Sequence, residues 1–262
     1  ETLPKPDQPR VITVANQKGG VGKTTTSVNL AASLSRQGLK VLVIDLDPQG
    51  NASTALSAEH TSGTTSSYEV LIGEANASDA VQPHPSNPNL FCIPATIDLA
   101  GAEIEMVSLV RREYRLRDAI RRGLIQDNGF DYVFIDCPPS LGLLTVNALA
   151  ASHGVIIPME CAYFSLRGLA LLTDTVEKVR DRINFDLDIV GILVTMFDAR
   201  TLHSREVMAR VVEVFGDAVY DTVIARTVRF PETSVAGEPI TRWAPRSSGA
   251  KSYRELAREV IH

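Results

Sequence analysis

The stretch Asn16-Gln17-Lys18-Gly19-Gly20-Val21-Gly22-Lys23-Thr24-Thr25 constrains this chain more than any other. It follows an apolar, β-branched run at 11–15 (VITVA) and opens a helical stretch at 24–37, which Gly38 is placed to stop. A strand that feeds a helix through three glycines lets backbone N–H groups turn inward around one point. The first amides of the helix face the same point and favour negative charge there. Strand, glycine-rich turn and helix in this order are the setting that a phosphate-binding loop requires.

Further apolar runs recur with helical stretches between them: Val41–Asp45 (VLVID), 90–93, Tyr132–Asp136 (YVFID), 154–158 (GVIIP) and 189–195 (IVGILVT). The runs are continuous rather than alternating, which marks strands buried on both faces. Strands alternating with helices predict an α/β fold, a doubly wound, mostly parallel sheet flanked by helices. Residues 99–123 read as helical, with Glu103, Glu105, Arg111, Arg112, Arg115 and Arg117 on exposed faces. Residues 57–67 and 83–89 read as loops inserted in one domain spanning 11–262. Residues 1–10 hold three prolines and no apolar core, and read as a disordered tail rather than a signal peptide.

With 44% hydrophobic and 22% charged residues, a chain of 262 can bury a sizeable core. No apolar run approaches the ~18 residues of a membrane span. Cys92, Cys137 and Cys161 form no C-x-x-C pair and the five histidines are scattered, so reduced thiols are expected and a metal held by them is not. Net charge is −5, but residues 200–262 carry +2 against −7 for the rest. A slightly basic C-terminal segment on an acidic protein suits a local anion-binding face, although ordinary solvated charge explains the count as well.

In the glycine-rich turn, Gly19, Gly20, Val21 and Gly22 supply the backbone cradle. Lys23 is placed for the β- and γ-phosphates, the Thr24 hydroxyl for Mg²⁺ and Thr25 for the α-phosphate. The strict pattern G-x-x-x-x-G-K-[ST] would put its first glycine at position 17, where Gln17 stands with Lys18 beside it. Asp45 and Asp47 close the second strand in DLDPQGN, and Asp136 closes YVFID. Ligands of open parallel sheets sit beyond the carboxyl ends of the strands, so these carboxylates fall where Mg²⁺ and an attacking water belong. One aspartate at a strand end reads as a loop cap; two such segments accompanying a phosphate loop read as a site.

KGGVGKTT, DLDPQGNAS, IPATIDLAGAEIE, FIDCPPSLGLLTVNAL and the late RTVRFPE occur in the order seen in the ParA/Soj family, the partition ATPases with a deviant Walker A motif related to MinD. The resemblance runs from about residue 11 to 261. KGGVGKT alone would also fit nitrogenase iron protein, but the cluster cysteines that go with it are not evident. The resemblance implies ATP and ADP as nucleotides and Mg²⁺ as cofactor. It implies that Lys18 is the signature lysine that reaches across an ATP-bound homodimer, where it offsets the repulsion of two facing triphosphates and acts as an arginine finger does. A lysine held within its own chain is the competing reading. Asp47 then positions or activates the attacking water and could also touch Mg²⁺, Asp136 holds Mg²⁺ through water, and Asp45 is structural or supporting. Thr195, Met196, Phe197 and Asp198 resemble a base-contacting loop, and Phe230, Pro231 and Glu232 a second segment near the adenine. Pro158 and Glu160 follow another strand end. The chain departs from the family at Cys161-Ala162-Tyr163 and at Ser165-Leu166-Arg167-Gly168, which puts the particular partner in doubt.

By the same resemblance, Arg200 and Arg229 match positions that bind DNA without sequence preference, through salt-sensitive phosphate contacts. Arg226, Arg242, Arg246 and Lys251 could extend the patch. The implied cycle has an ATP-bound dimer on nucleoid DNA in the cytoplasm, and a ParB-like protein that stimulates hydrolysis and releases monomers. Chromosome or plasmid partitioning leads. Division-site placement or another cargo uses the same switch, and a nonhydrolysing scaffold is a third reading. The terminal SYRELAREVIH is amphipathic but lacks a large apolar face, so packing on the domain is expected and membrane binding is not.

Overall fold

The computed structural model describes residues 2–16, 18, 22–226 and 239–262. The strands β1 (Arg10–Val14), β2 (Val41–Asp45), β3 (Gln82–His84), β4 (Asn87–Ile93), β5 (Tyr132–Asp136), β6 (Gly154–Glu160) and β7 (Asp188–Thr195) form one sheet in the order β3-β4-β2-β5-β1-β6-β7. All neighbours are parallel except β3 and β4. The helices are α1 (Lys23–Arg36), α2 (Asn51–Ala55), α3 (Ser67–Ile72), α4 (Ala77–Ala80), α5 (Ala102–Met106), α6 (Arg115–Ala119), α7 (Ile125–Asn128), α8 (Leu143–Ala151), α9 (Tyr163–Arg182), α10 (Leu202–Phe215), α11 (Ile240–Trp243) and α12 (Ser248–Val260).

Successive strand side chains point to opposite faces, and both faces are covered, which is why the strands are apolar without alternation. Val11, Leu42, Ile44, Val133 and Ile135 pack with Met106, Leu116, Leu149, Leu172 and Val176 on one side. Ile12, Val14, Val41, Val43, Tyr132 and Phe134 pack with Leu30 and Leu34 of α1 and Tyr253 and Leu256 of α12 on the other. The terminal amphipathic segment is therefore docked against α1: Tyr253, Leu256, Ala257 and Val260 are buried. No helix among the described residues is long and apolar enough to cross a membrane.

Several sequence expectations change. Residues 99–123 are not one helix. A 3₁₀ turn (Ile97–Gly101), α5, a second 3₁₀ turn (Arg112–Tyr114), α6 and a kinked segment (Ile120–Leu124) follow one another. Arg111 (φ 56) and Gly123 (φ 110) adopt left-handed backbone, which no helix can pass through. The helical appearance arises because Leu99, Ala102, Met106, Leu116, Ala119 and Ile120 all turn inward at near-helical spacing. Glu103 and Arg115 are not on an open face either, since Glu103 accepts the Leu144 N–H (3.0 Å) and Arg115 Nε donates to the Leu71 carbonyl (2.9 Å). Residues 83–89 are not a plain loop: they lie across the β3–β4 hairpin, with Pro83 on the edge strand, where a missing N–H does no harm. β6 runs on to Glu160, so Pro158 and Glu160 belong to the strand instead of following it. In the first ten residues, Arg10 opens β1, the Leu3 N–H donates to the Gln37 carbonyl (3.0 Å), and the Leu3 side chain packs on the core.

Candidate active site

α1 follows the carboxyl end of β1, and the parallel strands β5 and β2 end on the same side of the sheet. Gly22 caps α1 in the left-handed region (φ 88), where a β-carbon would be strained. No side chain caps α1, and its first turn contains no acidic residue. A fourteen-residue helix thus opens without a side-chain cap and without an acidic residue of its own in the first turn, which favours an anion. Gly19, Gly20 and Val21 lie outside the described residues.

Lys23 is buried, and its Nζ donates to the Lys18 carbonyl (2.8 Å). Burial lowers its pKa, opposed by the through-space pull of Asp136 and then Asp47. Thr24 Oγ1 donates to Asp136 Oδ2 (2.7 Å), and Ser27 Oγ, one helical turn on, donates to Asp136 Oδ1 (3.1 Å). Asp136 is fully buried. Desolvation raises its pKa above the usual carboxylate range, with the Asp45 charge adding to the rise, while Thr24, Lys23 and Ser27 oppose it. Thr25 is half-buried in the first turn of α1.

Asp45 is the register partner of Asp136 on β2. Its Oδ1 accepts the Asp47 N–H (3.0 Å), and its Oδ2 accepts both the N–H (3.0 Å) and the hydroxyl (2.7 Å) of Ser53. Asp47, 8% exposed, accepts the Gln49 N–H at Oδ1 (3.0 Å). Its charge is felt by Lys23. The structure therefore brings Lys23, Thr24, Asp45, Asp47 and Asp136 together as the sequence suggested, and adds Ser27 and Ser53. Ser27 was legible in principle, because it lies three residues after Thr24 and shares its helix face. Ser53 lay beyond any spacing rule.

Lys18 is held within its own chain. Its Nζ pairs with Glu160 Oε2 (2.9 Å) and lies 3.6 Å from the centre of the Phe164 ring. Its N–H donates to Asn16 Oδ1 (3.0 Å), and Asn16 Nδ2 donates to the Pro158 carbonyl (2.8 Å). A groove of about 470 Å³ opens beside it, with Phe164, Arg167 and Leu171 on its wall.

Met196 follows β7 in left-handed backbone (φ 55) and is 36% exposed. Thr195 borders the phosphate turn, since a β-carbon on Gly22 would lie 3.6 Å from its Cγ2. Phe230, Pro231 and Glu232 lie outside the described residues, as does Arg229. Arg200 is 90% exposed and forms a two-point pair with Asp198 (3.0 Å for each contact). That pair pulls the Asp198 pKa down to about 2.

The donor set fits hard-cation and phosphate chemistry: one hydroxyl, two buried carboxylates and a buried ammonium at an uncapped helix start. Among the described residues, no group of three His, Cys, Asp or Glu side chains could hold a metal by itself. A magnesium ion here would therefore be shared with phosphate oxygens and water, its ordinary mode.

The profile of a family described as an AAA domain matches residues 9–189. The chain is 49% identical to the sporulation initiation inhibitor protein Soj of Bacillus subtilis, over 96% of this chain and 98% of that protein. It is 48% identical to the chromosome partitioning protein ParA of Caulobacter vibrioides, over 96% and 94%. An uncharacterized protein of Mycobacterium tuberculosis is 58% identical over 96% of this chain and 78% of its own length. Among solved structures, cobyrinic acid a,c-diamide synthase from Mycobacterium smegmatis, with bound ADP and magnesium, superposes with a TM-score of 0.82 at 39% identity, over 96% and 93% of the two chains. McdA of Cyanothece, at 23% identity and a TM-score of 0.86 over 97% and 100%, shares the fold.

Proposed function

Because the chain belongs to the ParA/Soj family of chromosome-partitioning ATPases, we propose that it hydrolyses Mg²⁺-ATP, forms an ATP-dependent sandwich dimer, and binds DNA without sequence preference to partition a chromosome or plasmid. The observation that carries the reading is the uncapped start of α1, with the buried Lys23 ammonium and the Thr24 hydroxyl set against Asp136.

In this reading Lys23 meets the β- and γ-phosphates, and the backbone around Gly22 accepts the rest of the charge. Thr24 and Asp136 hold magnesium, which would neutralise phosphate charge when bound. Asp47 orients the attacking water. It acts by placing the water against the phosphate. Met196 lines the base side.

Lys18 reaches a partner's phosphates. In the single chain its ammonium rests on Glu160 in a pair that is 40% and 23% exposed. Such a pair contributes about 0–1 kcal/mol, so exchanging it for a triphosphate is inexpensive. A ParB-like protein would accelerate turnover, and Arg200 with Arg229 would touch DNA phosphates. The Arg200–Asp198 pair is exposed enough for phosphate to compete with it.

Size measurement of wild type and Lys18→Ala with ATP, with ADP and without nucleotide tests the dimer. A dimer seen only with ATP and lost in the variant is the expected result. Equal retention on duplex DNA in ATP and ADP, at low and moderate salt, would reject the switch.

A further inference from the structure

Asp45 has no place in that chemistry, yet it is the most elaborately bonded carboxylate of the site. It is 0% exposed, and leaving a carboxylate unmatched at such a depth is costly. Three donors satisfy it, from the loop that follows β2 and the helix that loop feeds: the Asp47 N–H on one oxygen, the Ser53 N–H and Ser53 hydroxyl of α2 on the other. The Ser53 oxygen also accepts the Ala95 N–H (2.9 Å), just past β4, and the Ser67 hydroxyl donates to the Asp45 carbonyl (2.8 Å). The loop between β2 and α2 is thus gripped near both ends by one side chain and tied to the next strand. At its far end Gly50 stands in left-handed backbone (φ 68), and a β-carbon there would lie 2.8 Å from the His60 ring.

We infer that Asp45 is a positioning residue for hydrolysis: it aims the Asp47 carboxylate. The inference rests on the reading that Asp47 orients water. The bond to the Asp47 N–H fixes the direction in which that residue's side chain leaves the backbone, and the Gln49 N–H on Asp47 Oδ1 fixes its rotamer. Water placement tolerates little slack, so the grip shows in turnover and not in affinity. The triphosphate is held by the β1–α1 turn, whereas the Asp45 carboxylate is taken up by Asp47 and Ser53.

The test measures phosphate release and binding of a fluorescent ATP analogue, with magnesium, on the full chain. Asp47→Ala first checks the premise: release falls by about 10²- to 10³-fold to a residual rate that is still measurable, and binding stays. If Asp47→Ala releases phosphate at the wild-type rate, the water-orienting role falls, and that failure is recognised before Asp45 is judged. Asp45→Asn keeps the side chain's shape but turns one accepting oxygen into a donor facing an N–H. Its kcat should fall by about 10- to 100-fold, with KM and analogue affinity within about threefold of wild type. Placed in the Asp47→Ala background, Asp45→Asn should cause no further loss, because both act through one carboxylate. Ser53→Ala releases one side of the grip and should lower kcat by about 3- to 10-fold, and Ser53→Thr, which keeps the hydroxyl, should restore it. An unchanged kcat in Asp45→Asn overturns the proposal. So does a full additional loss in the Asp47→Ala background, or a parallel collapse of affinity and kcat. If Asp45→Asn does not fold, Ser53→Ala with its Thr rescue decides by the same cycle.

Discussion

Asp45 and Asp136 are paired in register at the ends of neighbouring parallel strands, both fully buried. Both are raised in pKa first of all by desolvation. Their bonding differs. Asp45 accepts two backbone N–H groups and one hydroxyl, all from the loop and short helix α2 that its own strand feeds. Among the described residues the Asp136 carboxylate accepts hydroxyls, from Thr24 and Ser27 on a helix that enters from another strand. Backbone donors are fixed by the chain path, whereas hydroxyls rotate and can turn to another partner. One carboxylate is built into a loop, and the other stands at a junction whose contacts can be exchanged for a metal and its waters. Equivalent positions in a sheet thus take different tasks according to what kind of donor reaches them.

Removing the buried cation beside Asp136 tests the contrast most harshly. Lys23→Ala should lower phosphate release by about 10³-fold or more, with nucleotide binding weakened in a fluorescence titration. Binding at wild-type strength would mean that the β1–α1 turn is not where the triphosphate lies.

Asp136→Asn comes next. Turnover should fall by about 10²-fold, and the magnesium concentration needed for half-maximal rate should rise. Asp45→Asn should leave that magnesium midpoint unchanged. A shift in both would erase the distinction between the two carboxylates.

Protonation sharpens it further. A carboxyl whose pKa is raised on folding holds its proton more tightly in the native state, so its contribution to stability is present at low pH and is lost as pH rises through the folded value. Nucleotide-free protein should therefore lose stability above about pH 4, at up to about 1.4 kcal/mol per pH unit for each such group. Denaturant melts across pH 4–8 should show the decline in wild type and a flatter curve in Asp136→Asn. A steeper curve would contradict the raised pKa.

The smallest change is expected far from both. Arg200→Ala should leave stability essentially unchanged, because its pair with Asp198 is exposed. It should reduce ATP-dependent retention on DNA and lower its salt slope by about one. Unchanged retention would leave Arg200 a solvated side chain.

What was legible in the sequence was whatever local pattern encodes. The apolar runs at Val41–Asp45 and Tyr132–Asp136 appear as strands with those bounds, because a parallel strand covered on both faces needs no partner in view to declare itself. Gly38 ends α1 in left-handed backbone (φ 94), and Lys23, Thr24, Asp47 and Asp136 converge because each sits where a strand ends or a helix begins. Residues 99–123 misled because inward-facing positions at helical spacing say nothing about the left-handed turns between them.

The chain alone determined a phosphate-type turn, a parallel sheet and the carboxylates at its end, since each follows from short-range spacing and the obligations of the backbone. Only the tertiary structure decided that Ser53 and Asp47 close on Asp45, that Glu160 and Phe164 hold Lys18, and that α12 seals α1. Those contacts join residues far apart in the chain or on opposite sides of a turn. Their geometry is set by strand order and packing, which no local periodicity records.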